Sequence, residues 1–295
     1  MPKAKVNSIE IEYDTFGDPS SKPLLLVMGL GGQMIAWLDE RCEALANQGF
    51  YVIRFDNRDI GLSTKFDDAG LPNLLEINAA IARGEKPEVP YTLEDMADDA
   101  IGVLDDLNVE KAHICGVSMG GMIAQIIAYR HPSRVLSLTS IMSTTGNPDL
   151  RQPTPEFLME LFGPYPTTDR EGIIEEGAKR GRLAYGTFPY DEGQARIMAT
   201  KAYDRSYYPT GFLRQAAAAS ANGNRKTKLA SITVPTLVIH GREDPLIPFE
   251  GGIDTAEAIP GAELLIIEGM GHSFPPEVAP QIWGAVIANT NKSIS

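Results

Sequence analysis

Residues 112–121 read AHICGVSMGG: a short apolar run, the turn Gly116-Val117-Ser118-Met119-Gly120, then Gly121 and a long apolar helix pattern. A G-x-S-x-G match is weak on its own. The order strand, tight turn, helix makes this one a candidate nucleophile elbow, with the serine on a strained backbone and its hydroxyl exposed above a sheet. Residues two positions to either side must be small, because a Cβ there would collide with the neighbouring strand or helix.

Outward from this turn, strands and helices alternate. Lys5–Tyr13 reads as one or two short antiparallel strands closed by Phe16-Gly17-Asp18-Pro19. Leu24–Met28 is a continuous apolar strand, a pattern expected when both faces are buried. Ile35–Gln48 reads as a helix stopped at Gly49, Tyr51–Phe55 as the next strand, and Thr92–Leu107 as an amphipathic helix with Thr92 as N-cap and Asp95 three residues on. Ala112–Cys115 is a strand, Met119–Tyr129 a helix and Val135–Ile141 a strand. The alternation then stops. Residues 144–231 contain no good strand but several helix-like pieces, around 155–163, 169–184, 191–204 and 209–222. It resumes with strand Thr236–Ile239, helix Gly252–Ala258, strand Leu264–Ile267 and helix Pro276–Ala288. This order predicts a mostly parallel, doubly wound α/β sheet, 1–143 and 232–295, interrupted after the sixth strand by a helical cap at 144–231.

The bulk properties narrow the partners. A formal charge of −13 argues against nucleic acid and anionic membrane surfaces, both of which demand a basic face. The N-terminal MPKAKVNSIEIEYD has no apolar core of a signal peptide, and no apolar run approaches a membrane span. Two cysteines, Cys42 and Cys115, are too few for a disulfide framework, and Cys115 reads as a small buried hydrophobe. A cytoplasmic enzyme, monomeric or homodimeric, is the expectation.

A serine hydroxyl becomes a useful nucleophile only when a base takes its proton and a carboxylate orients that base. The four histidines are His113, His131, His240 and His272. His113 opens the strand leading to Ser118 and so lies at the wrong end of it, and His131 ends the following helix, roughly three turns away. His240 closes a strand at the correct sheet edge and competes for the role. His272, in the loop Gly269-Met270-Gly271-His272-Ser273 after the last strand, is the preferred base. Asp244, in the loop after the strand ending at His240, is the preferred carboxylate, with Glu243 its rival. The order Ser118, Asp244, His272 is the nucleophile–acid–base order expected on such a sheet. The oxyanion formed by attack on a carbonyl needs prepositioned backbone donors. Met119 N–H, at the start of the helix after the nucleophile, supplies one. Leu30 N–H, in the glycine-rich loop Met28-Gly29-Leu30-Gly31-Gly32, supplies the other.

From LLLVMGLGG through FDNRDIGLS, GVSMGG and VIHGREDPLIP to GMGH, the chain resembles the α/β-hydrolases over essentially its whole length. Within them it is most similar to aclacinomycin methylesterase-like carboxylesterases, which share the MGxxG-type oxyanion loop and the D-x-R-D-x-G-x-S stretch. The resemblance implies a Ser118/Asp244/His272 triad, a helical cap over it, and metal-free, cofactor-free ester hydrolysis. The chain departs from the commoner superfamily pattern in carrying Met28-Gly29 where many members have His-Gly. Asp56-Asn57-Arg58 is read as a brace for its loop through an Asp–Arg contact, rather than as a substrate site.

The insert carries Phe157, Leu158, Met159, Leu161, Phe162, Phe188, Met198, Tyr203, Tyr207, Tyr208 and Phe212. Most should form its own core, with a minority facing down to build an apolar pocket. A second excursion, 66–91, is expected to add a flap. No lysine or arginine of the cap awaits a substrate carboxylate, so the expected substrate is a neutral, apolar, small-to-medium ester. A dehalogenase or epoxide hydrolase of this fold would need Asp at position 118. A thioesterase, acyltransferase, perhydrolase or carbon–carbon bond hydrolase could share the same residues, and a non-catalytic small-ligand receptor is the alternative outside enzymes.

Overall fold

The computed structural model describes residues 2–294. Strands β1 (Lys3–Val6) and β2 (Ile9–Phe16) form a hairpin, followed by β3 (Lys22–Val27), α1 (Asp39–Ala46), β4 (Phe50–Phe55), α2 (Leu74–Ala82) and α3 (Leu93–Asp106). Next come β5 (Ala112–Val117), α4 (Met119–Arg130) and β6 (Val135–Ile141). Five helices succeed one another without a strand: α5 (Pro155–Phe162), α6 (Arg170–Gly181), α7 (Glu192–Ser206), α8 (Pro209–Asn222) and α9 (Lys226–Leu229). The chain then re-enters the sheet through β7 (Thr236–Gly241), α10 (Glu250–Ala258), β8 (Glu263–Ile267) and α11 (Ala279–Asn291).

The sheet order is β1-β2-β4-β3-β5-β6-β7-β8. Only the β1/β2 and β2/β4 pairings are antiparallel. Alternation along each central strand feeds two cores. Leu25, Val27, Ile53, Phe55 and Ile114 face the side covered by α3 and α4. Leu24, Leu26, Val52, Cys115 and Val117 face the side covered by α1 and α11. Burial on both faces is why these strands read as unbroken apolar runs. Helix α3 starts where expected: the Thr92 hydroxyl accepts from Asp95 N–H, and the Asp95 carboxylate accepts from Thr92 N–H at 2.8 Å, a full capping box.

Three expectations need correction. The single helix expected over 35–48 is split into a 3₁₀ turn at Met34–Ala36 and α1, because Trp37 and Leu38 leave the helical region. The freed Trp37 carbonyl accepts from the buried Arg54 guanidinium, a tertiary contact that outweighs local helix propensity. The 66–91 excursion contributes no residue to the cavity at Ser118; its α2 packs against α8 instead. The expected Asp56–Arg58 contact is replaced by two others. Arg58 forms a two-pronged pair with Asp99 on α3 (2.6 and 2.8 Å), and Asp56 pairs with Arg205 on α7 (2.8 Å).

The same loop holds the helical insert in place. Arg214 of α8, 1% exposed, donates to both oxygens of Asp59 at 2.6 and 2.9 Å. Asp59 also accepts from the Tyr91 hydroxyl at 2.9 Å and from Phe66 N–H at 3.0 Å. Removing one partner of such a buried pair costs about 3–5 kcal/mol. We expect Arg214→Met to fall near the low end, about 3 kcal/mol by urea unfolding, because Tyr91 and Phe66 still satisfy Asp59. A loss under about 1 kcal/mol would mean that the insert is held elsewhere.

Candidate active site

Ser118 lies between β5 and α4 with φ +57° and ψ −123°, a conformation L-residues rarely adopt. Neighbouring atoms hold it there. Ser118 N–H donates to Ile141 O (2.9 Å), while its carbonyl accepts from the Ser143 hydroxyl (2.8 Å) and from Gly121 N–H (2.8 Å). A Cβ on Gly116 would stand 2.0 Å from the Gly120 carbonyl, and one on Gly120 would stand 2.2 Å from the Val27 carbonyl. The small residues flanking the serine are therefore a packing requirement: α4 starts in contact with both β5 and β3.

His272 follows β8 in a loop whose backbone is tied to the insert. Its N–H donates to Ala184 O at 2.6 Å, and Gly271 N–H donates to Tyr185 O at 3.2 Å. Its Nε2 lies 2.9 Å from Ser118 Oγ and its Nδ1 lies 2.7 Å from Asp244 Oδ2. The other carboxylate oxygen, Oδ1, accepts from Leu246 N–H (2.9 Å) and Ile247 N–H (2.8 Å). Burial pushes the Asp244 pKa up. The His272 charge and hydrogen bonds from His240 and His272 outweigh that, bringing it down to about 2. Asp244 is thus ionised across the physiological range, poised to hold a proton on Nδ1 and leave Nε2 free to accept from the serine.

The other histidines are placed elsewhere. His240 is fully buried behind Asp244, with Nε2 2.7 Å from Ile247 O and 3.4 Å from Asp244 Oδ2, so it backs the acid and does not approach the serine. His113 bonds Ser137 Oγ at 2.8 Å, and burial pushes its pKa down to about 4. His131 pairs with Asp98 at 2.7 Å. Glu243 accepts from Gly269 N–H at 2.6 Å and makes no hydrogen bond to His272. Burial raises both cysteine thiols to about 12, which keeps them protonated.

The glycine-rich loop after β3 meets the serine directly: a Cβ on Gly29 would lie 3.1 Å from Ser118 Cβ. Neither Leu30 N–H nor Met119 N–H donates to any described residue. Both amides are free to bond a developing oxyanion. The substitution of Met28 for the commoner His leaves this loop supported from other directions. Asn57 Nδ2 donates to Met28 O at 2.8 Å, and Gly31 N–H donates to Gln215 Oε1 at 2.9 Å. Gln215, fully buried, also donates to Arg58 O at 2.8 Å. It was not foreseen, since a glutamine inside an alanine-rich helix carries no sequence signal for a tertiary bond. Asn57 could have been singled out from its place in the Asp56-Asn57-Arg58 run.

These groups open onto a cavity of about 520 Å³. Its walls are mainly apolar, with Trp37, Met122, Met142, Leu246 and Phe274 from the sheet side and Leu161, Phe162, Ala184 and Ala219 from the helical insert. Of the insert aromatics noted in the sequence, Phe162 alone reaches the cavity. Arg41, from α1, also lines it. The arrangement can activate a hydroxyl, receive an oxyanion and hold an apolar group beside both.

The fold and this geometry define a class that comparison with known proteins makes explicit. Residues 22–277 match the model of the alpha/beta hydrolase fold family, and the chain belongs to that family. It is 30% identical over 311 aligned positions to the rhodomycin D methylesterase DauP of Streptomyces sp. (strain C5), covering 98% of each chain. It is 29% identical to the rhodomycin D methylesterase DnrP of Streptomyces peucetius, again over 98% of each. Among solved structures, the enol-lactonase from Burkholderia xenovorans LB400 superposes with a TM-score of 0.73 at 24% identity, covering 98% of this chain and 100% of that one. That likeness is one of fold.

Proposed function

We propose that this protein is a serine carboxylesterase that cleaves small-to-medium esters of largely apolar build through an acyl-enzyme on Ser118. The observation that carries the reading is the continuous Ser118–His272–Asp244 hydrogen-bond chain, 2.9 and 2.7 Å, facing an apolar cavity. The methylesterase names of DauP and DnrP support an ester as the electrophile. In this reading 144–231 is the cap domain over a core of 1–143 and 232–295.

The steps follow from the chemistry of the groups. His272 Nε2 takes the Ser118 proton as Oγ attacks the ester carbonyl. The oxyanion accepts from Leu30 N–H and Met119 N–H, the latter aided by the positive end of α4. His272 then gives its proton to the departing alcohol, leaving an acyl group on Ser118. Water, deprotonated by the same imidazole, releases the acid. Asp244 remains ionised throughout.

A ladder of p-nitrophenyl esters of increasing acyl length tests this. Turnover should peak at short or medium chains and fall for long ones, as befits a cavity of about 520 Å³. Absence of turnover on every ester would overturn the reading. Matched thioesters at equal acyl length separate it from a thioesterase, whose preference would be reversed.

A further inference from the structure

Among the described residues, Arg41 is the only lysine or arginine lining the cavity, and no aspartate or glutamate lines it. It is half-buried, and its guanidinium makes no hydrogen bond or ion pair with any described residue. The other shielded arginines at this end of the molecule are all committed. Arg54 holds Asp14, Arg58 holds Asp99, Arg205 holds Asp56 and Arg214 holds Asp59. The Glu40 carboxylate lies near enough to Arg41 to favour its charge, yet does not bond it.

The helix terminus gives no reason for a cation here. Arg41 occupies the first turn of α1, whose positive end disfavours a positive side chain. Burial also works against its charge. A guanidinium stays ionised even so, and its planar donor fork matches a carboxylate two bonds at a time. In a cavity whose remaining walls are mainly apolar and hold no carboxylate, the ligand is the source left for a partner.

We propose that Arg41 is a specificity residue that pairs with a carboxylate carried by the ester substrate away from the bond being cleaved. The preferred substrates are then half-esters: an ester at Ser118, an apolar span along Trp37 and Phe274, and a free acid on Arg41. This inference rests on the carboxylesterase reading and deepens it. The chain's net negative charge does not oppose it at contact range, since charges beyond about 8 Å are screened at physiological salt.

The test compares methyl monoesters of α,ω-dicarboxylic acids, in a ladder of chain lengths, with methyl alkanoates of equal length, following methanol release. The wild type should prefer at least one monoester over its alkanoate. In Arg41→Met the ratio of kcat/KM, monoester over alkanoate, should fall about 10- to 100-fold, the weight of a charge-assisted pair, and mainly through KM. Arg41→Lys should recover part of it, because the charge returns without the fork. Since the Arg41 guanidinium bonds no described residue, the unfolding midpoint of Arg41→Met should not drop, which separates a lost contact from a lost fold. A wild type with no monoester preference, or a ratio unmoved by Arg41→Met, overturns the inference while alkanoate turnover upholds the esterase reading. No turnover on alkanoates by the wild type overturns that reading instead.

Discussion

Ser118→Ala is expected to lower ester turnover by about 10⁴- to 10⁶-fold while leaving the chain folded. The size follows from what goes and what stays. The proposed nucleophile is lost, and with it the proton that His272 Nε2 would accept across 2.9 Å. The free amides of Leu30 and Met119 and the apolar cavity remain, so substrate should still bind with a similar affinity. Stability should change by no more than about 1 kcal/mol, since one part-buried hydrogen bond is removed. A second variant isolates the backbone. Alanine at φ +57° keeps the strain of the turn, whereas glycine relieves it. Ser118→Gly should therefore be equally inactive but about 1 kcal/mol more stable than Ser118→Ala. Turnover of Ser118→Ala within tenfold of wild type would remove the serine from the chemistry. Equal stability of the two variants would show that the turn stores no strain at this residue.

Much of this could be read from the chain because the informative residues act locally. The Gly116–Gly120 turn announces itself between an apolar strand and an apolar helix, and the clash distances of 2.0 and 2.2 Å explain why no larger residue stands there. The Ser118, Asp244, His272 order was legible for a similar reason. Ser118 follows directly on β5, Asp244 and His272 lie in the loops after β7 and β8, and parallel strands deliver their following loops to one sheet edge. What escaped the reading depends on partners far apart in sequence. Nothing near Arg58 points to Asp99, and nothing in an alanine-rich helix points to the bond from Gln215 to Gly31. The break before α1 has the same origin: the Trp37 carbonyl turns toward Arg54. Arg41 escaped because cavity-lining charges were sought in the insert, whereas the lining cation comes from α1.

Asp244→Asn tests the acid, and its expected cost follows from the orientation the site forces on an amide. Oδ1 of Asp244 accepts two backbone N–H bonds, from Leu246 at 2.9 Å and Ile247 at 2.8 Å. An amide nitrogen placed there would face two donors, so the asparagine oxygen must take that position. Its NH₂ then occupies the place of Oδ2, 2.7 Å from His272 Nδ1. There it donates to Nδ1 where the carboxylate accepted, which drives the imidazole proton onto Nε2. That nitrogen can no longer accept from Ser118. The geometry is nearly unchanged and the tautomer is wrong, a situation that costs about 10⁴-fold in kcat. Glu243→Gln is the matching control, because glutamine keeps an acceptor for Gly269 N–H and residue 243 makes no hydrogen bond to His272. It should stay within about threefold of wild type. The pH profile adds a second reading of the same carboxylate. Its folded pKa, about 2, lies below the ordinary 3.8, so its ionisation stabilises the native state above that ordinary value. This contribution is lost only as pH falls from 3.8 toward 2, and Asp244 should therefore impose no limb on kcat/KM above pH 4. If Asp244→Asn retained more than about a tenth of wild-type kcat, Asp244 would be a structural loop residue and His240 or Glu243 would have to orient the base.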